Sequence, residues 1–342
     1  MRASRLSTAS EKFRGGLPLA FISAIALLCA PCKAATYVTI DPPGATTTYA
    51  TGINDHGLAT GWFRTSTNDT HAFVRAVDGT LTVFDPNGIQ PSTVGGINNK
   101  GWVVGTYNLY IGFIRKPNGH VTTFSVDANH YMATTGIDDR GDVCGFVHDI
   151  HTAAETGFVR TADGTLMEFA PSGSTEVLGM NGAGTVTGYF ADKAGAHGFV
   201  RTIDGTITTF DAPGATGTVG YGINAAGTVA GAYLDADDFS HGFIRDAAGN
   251  LTPFEVGELN EDYPFIYGMS INVKGEIAGY YDYADEYYRA FIRKPKGKVS
   301  SFDDPDASGL QFTEALAINR KGAIVGIFRD ENYVLRAFLR LP

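Results

Sequence analysis

Cysteine is scarce in this chain of 342 residues: there are three, and two of them, Cys29 and Cys32, lie within the first 34 residues. A fold held together by disulfides is therefore excluded, because Cys144 alone cannot form an intramolecular pair. Cys144 lies in the alternating stretch Val143-Cys144-Gly145-Phe146, which predicts a small buried hydrophobic side chain. Stability must come from an apolar core, for which a chain of this length is sufficient.

Long apolar runs are also missing, apart from the stretch between Leu17 and Ala30. This run is too short to be a membrane span, basic residues precede it, and Cys32-Lys33-Ala34 offers a cleavage site. We expect residues 1–34 to be a secretory signal peptide and residues 35–342 to be one domain. The protein is then expected to be extracellular or periplasmic, with no membrane insertion after cleavage of the signal.

Basic residues are outnumbered, with 26 Lys and Arg against 36 Asp and Glu. Removal of residues 1–34 takes away five basic residues and one acid, and so changes the net charge from −10 to −14. Such a surface repels phosphate groups, which argues against nucleic acid and anionic membranes as partners.

Recognisable catalytic motifs are absent from the sequence. There is no nucleophile elbow, no phosphate-binding loop, no zinc-binding His-Glu-x-x-His and no dinucleotide-binding glycine pattern. Whether the protein is an enzyme is left open at this point.

What the sequence does contain is a repeat of about 43 residues, present seven times. The first motif of the repeat is Gly-Ile-Asn-x-x-Gly. Its asparagine position is occupied by Asn54, Asn98, Asp138, Asn181, Asn224, Asn272 and Asn319. A second glycine follows seven residues after this position in every copy, from Gly61 to Gly326. Each copy continues with Phe-x-Arg, as in Phe73 and Arg75, and six copies end on a further aromatic residue. The copies are numbered here as repeats one to seven.

Each repeat divides into four short segments rich in β-branched and aromatic residues, separated by Gly, Asn and Asp, and no segment after residue 34 has a helical pattern. Four strands in about 40 to 50 residues predict an all-β fold, a seven-bladed β-propeller of four-stranded blades. Repeat seven stops after its third strand, whereas Tyr37–Pro42 resembles the fourth-strand segment Thr208–Pro213. The last blade is therefore predicted to be completed by the N-terminal strand, which closes the ring.

The recurrent residues have a structural interpretation. Asn-x-x-Gly predicts a tight turn in which glycine adopts positive φ, and the second glycine predicts a close approach of sheets. The recurrent Phe is predicted to lie in the core. The recurrent Arg is predicted to hydrogen-bond between blades or to stack on an aromatic ring, because one ligand does not require seven equivalent copies.

The motifs His/Gly/Ala-Phe-x-Arg, Asp-Gly-Thr-x-Thr-Thr-Phe-Asp and Pro-Gly-Ala, with His71-Ala72-Phe73 as an example, resemble the bacterial extracellular HAF-repeat family over residues 36–342. The resemblance implies an exported repeat protein and brings no catalytic residue. The histidine itself recurs as His197 and His241, but is replaced elsewhere by Ile111, Thr156, Arg289 and Arg336.

Functional residues are predicted where the repeats differ, in the longer acidic and tyrosine-rich loops of repeats five to seven, which must share one face. The candidate ligand-binding residues are Asp235, Asp237, Asp238, His241, Glu261, Asp262, Tyr263, Asp282, Asp285, Glu286, Asp330 and Glu331. One interpretation is a binding module for carbohydrate or for an extracytoplasmic protein, in which the carboxylates bind sugar hydroxyls or Ca²⁺. The alternative is a carbohydrate-active hydrolase or lyase that uses carboxylates of the same face. A third interpretation is an acidic rim that only keeps the protein soluble.

Overall fold

Among the residues that the structure describes, the regular structure consists of strands and one turn of 3₁₀ helix at Pro86–Gly88. The computed structural model describes residues 35–127, 129–257, 265–284, 287–308 and 312–342. The predicted signal peptide, residues 1–34, lies outside the described residues. No helix within the described ranges has the length and apolar character needed to cross a membrane.

The first three repeats form three separate antiparallel sheets of four strands each. Strand β1 (Thr36–Ile40) precedes them and belongs to the last sheet. Repeat one contributes β2 (Ala45–Ile53), β3 (Ala59–Thr65), β4 (Thr70–Arg75) and β5 (Leu81–Phe84). Repeat two contributes β6 (Pro91–Ile97), β7 (Val103–Tyr107), β8 (Ile111–Arg115) and β9 (Val121–Phe124). Repeat three contributes β10 (His130–Ile137), β11 (Val143–Asp149), β12 (Glu155–Arg160) and β13 (Leu166–Phe169).

Repeats four and five share one eight-stranded sheet. Repeat four contributes β14 (Ser174–Met180), β15 (Val186–Asp192), β16 (Gly195–Arg201) and β17 (Ile207–Phe210), and repeat five contributes β18 (Gly217–Ile223), β19 (Val229–Leu234), β20 (Ser240–Arg245) and β21 (Leu251–Phe254). A parallel contact between Ala196 and Gly217 joins β16 to β18. Small residues permit it: a Cβ atom at Gly195 would lie 2.3 Å from the carbonyl oxygen of Thr216.

Repeats six and seven return to separate four-stranded sheets. Repeat six contributes β22 (Ile266–Ile271), β23 (Ile277–Ala284), β24 (Tyr287–Arg293) and β25 (Val299–Phe302), and repeat seven contributes β26 (Thr313–Ile318), β27 (Ile324–Arg329) and β28 (Leu335–Leu341). The chain is thus an all-β propeller, but the prediction of seven four-stranded blades is wrong. Five sheets are separate four-stranded blades, and the strands of repeats four and five form one larger sheet because their backbones approach closely.

Strand β1 supplies the fourth strand of the last sheet. It pairs antiparallel with β28, from Thr36 opposite Leu341 to Ile40 opposite Ala337. Ile40 is buried and packs in one cluster with Phe63, Phe73 and Leu339, so the first and last repeats share a core. The predicted closure by the N-terminal strand is therefore present.

The recurrent Phe and Arg residues pack the sheets against one another. All seven Phe side chains are fully buried, at Phe73, Phe113, Phe158, Phe199, Phe243, Phe291 and Phe338. In six repeats the Arg guanidinium lies over the last aromatic ring of the preceding repeat, as with Arg115 at 4.3 Å from the centre of Phe84 and Arg201 at 4.8 Å from that of Phe169. Both predictions are confirmed, and cation–π contacts between repeats explain why Arg recurs.

The recurrent Asn residues form a ring of hydrogen bonds on the inside of the propeller. Asn54 Oδ1 accepts from the backbone amides of His56 and Leu58, which fixes its own turn. Asn54 Nδ2 donates to the carbonyl oxygen of Asn98 at 2.9 Å, and five equivalent bonds join other consecutive repeats. The bond from Asn319 to the Asn54 carbonyl, 2.9 Å, closes the ring between the last and first repeats.

One position in this ring differs. Asp138 has no amide donor, so repeats three and four lack the equivalent bond. Its carboxylate instead accepts from Arg140 at 2.7 and 2.9 Å. The Arg140 guanidinium also pairs with Asp142 at 2.8 Å and extends to Gly184 of repeat four, where a Cβ atom would lie 2.2 Å from it. Arg140 therefore spans the junction that the Asn amide spans elsewhere.

Candidate functional site

The loops of the propeller divide between two faces. The first and third connections of each antiparallel sheet lie at the same end, because strand direction reverses at every hairpin. These turns are tight, as in the hydrogen bonds of Gly57 N to Asn54 O and of Gly79 N to Ala76 O, both 3.0 Å. The second connections and the segments between repeats lie at the opposite end, here called the variable face. The predicted acidic residues that the structure describes all lie on this face.

Asp235 and His241 belong to one local network of repeat five. His241 Nε2 is 3.1 Å from Asp235 Oδ2, and Nδ1 is 2.9 Å from Glu255 Oε1. The ring of His241 stacks on Tyr233, with centroids 4.9 Å apart. Burial, the largest single influence, lowers the pKa of His241, but the hydrogen bonds to Glu255 and Asp235 outweigh it and raise the pKa overall. The two carboxylates thus stabilise the imidazolium form of His241 relative to that of a free histidine.

Asp282 belongs to repeat six and accepts hydrogen bonds from two aromatic residues. Its Oδ1 accepts from the backbone amide of Phe265 at 2.7 Å, and its Oδ2 accepts from the hydroxyl of Tyr267 at 3.4 Å. Burial raises the pKa of Tyr267 to about 12, and the charge of Asp282 adds to the rise. The phenol of Tyr267 is therefore neutral and keeps its proton toward Asp282.

The side chains of the other predicted residues that the structure describes do not join these networks. Asp330 caps its own turn and accepts from Arg336 Nε at 3.2 Å, while Asp237, Asp238 and Glu331 are exposed. Glu261, Asp262, Tyr263, Asp285 and Glu286 lie outside the described residues. Within the described ranges, no three His, Cys, Asp or Glu side chains are grouped so that they could hold a metal ion.

The recurrent histidine position contacts the acidic residue that follows the fourth strand. His71 is 2.8 Å from Asp85, His197 is 2.9 Å from Asp211, and His241 is 2.9 Å from Glu255. Where arginine replaces the histidine, the pairing remains, between Arg289 and Asp303 at 2.8 Å and between Arg336 and Asp41 at 2.7 Å. Because arginine occupies the same position in two repeats, we interpret the recurrent contact as structural.

An apolar groove opens beside Asp282, between repeats five and six. Its volume is about 160 Å³, and it is here called the aromatic groove. Its principal walls are the aromatic side chains of Tyr221, Tyr233, Phe265 and Tyr267. Ser240 supplies a hydroxyl group, which accepts from the amide of Ile266 at 3.1 Å and retains its own proton for donation. Phe265 is 42% exposed, so its ring is accessible from the groove.

The groove meets the central channel of the propeller at Tyr221, which lines both. The channel has a cavity of about 270 Å³, and the residues before the Asn ring form an apolar collar around it. The collar residues are Ile53, Ile97, Ile137, Met180, Ile223, Ile271 and Ile318. One end of the channel lies toward the variable face.

Glu176 and Glu314 occupy equivalent positions near this end, here called the channel mouth. Each lies directly before the β-bulge of the first strand of its repeat, as Tyr49 and Tyr267 do in theirs. Glu176 accepts a hydrogen bond from the hydroxyl of Tyr189. For Glu314, in contrast, no hydrogen bond or ion pair is present within the part of the chain that the structure describes.

Burial is the main influence on the pKa values of the two glutamates at the channel mouth. It raises the pKa of Glu314 to about 7, against a smaller opposing effect of Arg329. It also raises the pKa of Glu176, which the hydrogen bond from Tyr189 partly offsets. The charge of Glu314 raises the pKa values of Tyr49 and Tyr280 in turn, after burial of those phenols. Glu314 is thus a partly desolvated carboxylate whose charge acts on two tyrosines.

The sequence interpretation missed the channel mouth. It concentrated on loops, whereas Glu176 and Glu314 lie on inner strands and look like ordinary polar members of an alternating pattern. The sequence did contain one indication of these two residues. When the position of Glu176 and Glu314 is compared across the seven repeats, only these two copies carry a charged residue. The position is occupied by Tyr49, Thr93, Ala133, Glu176, Val219, Tyr267 and Glu314.

No family model matches the chain, and no curated protein matches it. Solved structures do resemble it. The β-propeller domain of the trilobed protease from Pyrococcus furiosus, which is described as having an open velcro topology, aligns with a TM-score of 0.59 and 7% identity, over 86% of this chain and 95% of that one. A prolyl endopeptidase aligns with a TM-score of 0.58 and 11% identity over 87% of this chain, which spans about half of that protein.

A lectin from Aleuria aurantia, in complex with Fucα1-6GlcNAc, aligns with a TM-score of 0.45 and 12% identity over 87% of this chain and 93% of the lectin. At these levels of identity, the first two similarities establish the propeller fold and nothing about ligand or reaction. The similarity to the lectin is too low to support a conclusion.

Proposed function

We propose that the protein is an exported β-propeller binding module that recognises carbohydrate through the aromatic groove on its variable face. The observation that supports it most directly is the exposed ring of Phe265 next to Tyr267, whose hydroxyl is oriented by Asp282. Sugar rings have apolar faces that pack on aromatic side chains and hydroxyl groups that require hydrogen-bonding partners. The groove offers both, with the hydroxyl groups of Ser240 and Tyr267 as the polar groups.

The dimensions of the groove favour a ligand that lies along the surface. Its volume of about 160 Å³ is below the roughly 300–1,000 Å³ of pockets that bury a drug-sized molecule. A ring of an oligosaccharide is thus covered on one side and remains open on the other. This mode of binding requires little desolvation of the sugar hydroxyls.

Phe265→Ala is expected to lower the affinity for an oligosaccharide roughly two- to tenfold, because an aromatic packing contact contributes about 0.5–1.5 kcal/mol. Calorimetric titration with a panel of neutral oligosaccharides measures this. Tyr131→Ala is the matched control, since Tyr131 is 40% exposed and lies on the same face in repeat three. Equal losses for the two variants, or no binding by the wild type, would contradict carbohydrate recognition by the groove.

One observation favours a second candidate, a carbohydrate-active hydrolase or lyase. Glu314 has a pKa of about 7, which suits a carboxylic acid that donates a proton near neutral pH. Incubation of the same oligosaccharides with wild type and Glu314→Gln distinguishes the two functions. Cleavage by the wild type and its loss in the variant support the enzyme, whereas binding without cleavage supports the module.

A further inference from the structure

Repeat five has the smallest side chains of the seven repeats at two positions of its sheet, and both positions line the aromatic groove. These are Gly217 at the start of β18 and Ala232 on β19. The other repeats have Thr47, Pro91, Tyr131, Ser174, Phe265 and Phe312 at the first position, seven residues before the asparagine position. At the second they have Trp62, Thr106, Phe146, Tyr189, Tyr280 and Ile327. Space for a ligand thus exists here because repeat five lacks the larger side chains of the other repeats.

The strand register brings the small residues to one face of the sheet. Val219 pairs with Ala232, and Gly217 pairs with Leu234, which also pairs with Ser240 of β20. Directly paired residues, and residues two apart along a strand, lie on the same side of a sheet. These five residues all line the groove and are here called the aliphatic pocket.

Repeat six closes one side of the aliphatic pocket. Ile266 packs in one hydrophobic cluster with Ala232, and its backbone amide donates to Ser240 Oγ at 3.1 Å. The residue before it, Phe265, is 42% exposed and lines the same groove. The pocket is therefore a small apolar recess with an accessible aromatic ring beside it.

Ser240 gives the pocket a fixed hydrogen-bond donor. The residue is 7% exposed, and the amide of Ile266 already occupies one lone pair of its oxygen. Among the residues that the structure describes, none accepts the proton of this hydroxyl group. A buried donor of this kind is stabilised by a ligand that supplies an acceptor.

The lining of the pocket determines which chemical group it accommodates. None of the described residues that line the groove is charged, so an ammonium or carboxylate group would lose its water there without a partner of opposite charge. An acetamido group is neutral and matches both parts of the pocket. Its carbonyl oxygen accepts from Ser240, and its methyl group packs on Val219, Ala232 and Leu234.

We propose that the aliphatic pocket binds the acetamido group of an N-acetylated sugar, with the sugar ring packed against Phe265. The identification as a sugar rests on the proposed function, whereas the recognition of an acetamido group rests on the pocket alone. The methyl group occupies the space that Gly217 and Ala232 leave open. The expected ligands are therefore those neutral oligosaccharides that carry N-acetyl groups.

The test compares two β-1,4-linked tetrasaccharides, the tetramer of N-acetylglucosamine and cellotetraose, which has a hydroxyl group in place of each acetamido group. Calorimetric titration at pH 7 measures both affinities. We expect the wild type to bind the N-acetylated tetramer about tenfold more tightly, because a methyl group is buried and a hydrogen bond is gained. This preference corresponds to about 1.4 kcal/mol.

Gly217→Val is designed to fill the pocket. The atom nearest to a Cβ added at Gly217 is the Cβ of Ala196, at 3.6 Å, which is an ordinary contact, so we expect this variant to fold. It is expected to lose the preference and to keep the affinity for cellotetraose. Thr47→Val, at the equivalent position of repeat one, is the matched control and is expected to keep the preference. Ser240→Ala is expected to reduce it roughly threefold through loss of the donor.

The outcomes separate the two proposals. If the wild type binds cellotetraose at least as tightly, or if the preference survives in Gly217→Val, the acetamido site is overturned and the carbohydrate function remains. If neither tetramer binds, the carbohydrate function fails, and titration with N-methylacetamide followed by amide NMR shifts decides the remaining point. Shifts in β18, β19 and β20 of the wild type that vanish in Gly217→Val retain the acetamido site, and their absence from the wild type excludes it. Thermal unfolding checks that each variant is folded, and Ser240→Ala decides if Gly217→Val is not.

Discussion

Asp304 is a buried carboxylate at a position where the other repeats have apolar residues. It is 3% exposed, and its Oδ2 has no partner, although Oδ1 accepts from the amide of Asp306 at 3.0 Å. The equivalent residues are Pro42, Pro86, Val126, Pro171, Ala212 and Val256. Burial raises the pKa of Asp304 to about 6 from its ordinary value of 3.8. The neutral form is therefore favoured in the folded state below about pH 6.

This shift makes stability depend on pH in a definite direction. Between pH 3.8 and about 6 the folded state binds more protons than the unfolded state, so stability decreases as pH rises through this interval. The full effect is about 3 kcal/mol, from roughly two pKa units at about 1.4 kcal/mol each. Asp304→Ala is expected to lose this dependence. Urea unfolding at pH 4 and pH 7.5 measures it, with Asp306→Ala, an exposed neighbour, as the control. Parallel pH profiles for wild type and Asp304→Ala would falsify this assignment.

The roles of some residues could be predicted from the sequence, and those of others could not. The recurrent Phe and Arg could be assigned to the core and to aromatic stacking because they recur in almost every repeat, and repetition identifies a structural role. Glu314 could not be assigned in that way. The rise of its pKa depends on its burial in the folded ring, which no local pattern of the sequence encodes.

At the scale of the element, the Asn turn joins each repeat to the next. The side chain both fixes its own turn through Oδ1 and donates across the junction through Nδ2, as Asn224 does to the carbonyl oxygen of Asn272 at 3.2 Å. An aspartate retains the first function and loses the second. Repeat three contains this change at Asp138 and compensates with Arg140, two residues later.

Asn224→Asp is accordingly expected to lower the free energy of unfolding by about 1–3 kcal/mol, the usual effect of leaving a buried group without its partner. Addition of Ala226→Arg, which reproduces the arrangement of Asp138 and Arg140, is expected to restore part of the loss. Chemical denaturation of the single and double variants measures both effects. If the single variant is as stable as the wild type, the amide ring does not contribute to stability.

The sequence predicted these turns correctly and failed at the boundary between repeats four and five. The turns are local, so Asn, Gly and their spacing specify them. The merging of two sheets instead depends on a single backbone contact between Ala196 and Gly217. Small residues permit such an approach without requiring it, and the repeat pattern is the same there as elsewhere. The number of separate sheets was therefore not accessible from the spacing.

At the scale of the whole molecule, the pairing of β1 with β28 completes the ring. Ile40 is the buried end of β1, at 2% exposure, whereas its neighbour Thr39 is exposed. Ile40→Asp is expected to destabilise the protein by about 3 kcal/mol or more, because it buries a charge without a partner. Thr39→Asp is the control and is expected to have little effect.

The destabilisation caused by Ile40→Asp is expected to be local at first. Hydrogen exchange of Ile40→Asp should accelerate in β26, β27 and β28, and in β2 and β3 of the adjoining repeat, before it does so in β10 to β13. Uniform acceleration over all strands would show that the ring opens as one cooperative unit and that closure is not a separate step.

The same closure has a kinetic consequence. Tyr37 and Arg340, which are in contact, are 303 residues apart in the sequence, and pairings over such distances form slowly because a long loop must first be ordered. During synthesis, β1 emerges first and its partner last, so the last sheet acquires its fourth strand only when translation of the preceding repeats is complete. Until then the five residues of β1 have no strand to pair with. Completion of the ring is thus the latest event in the maturation of the chain.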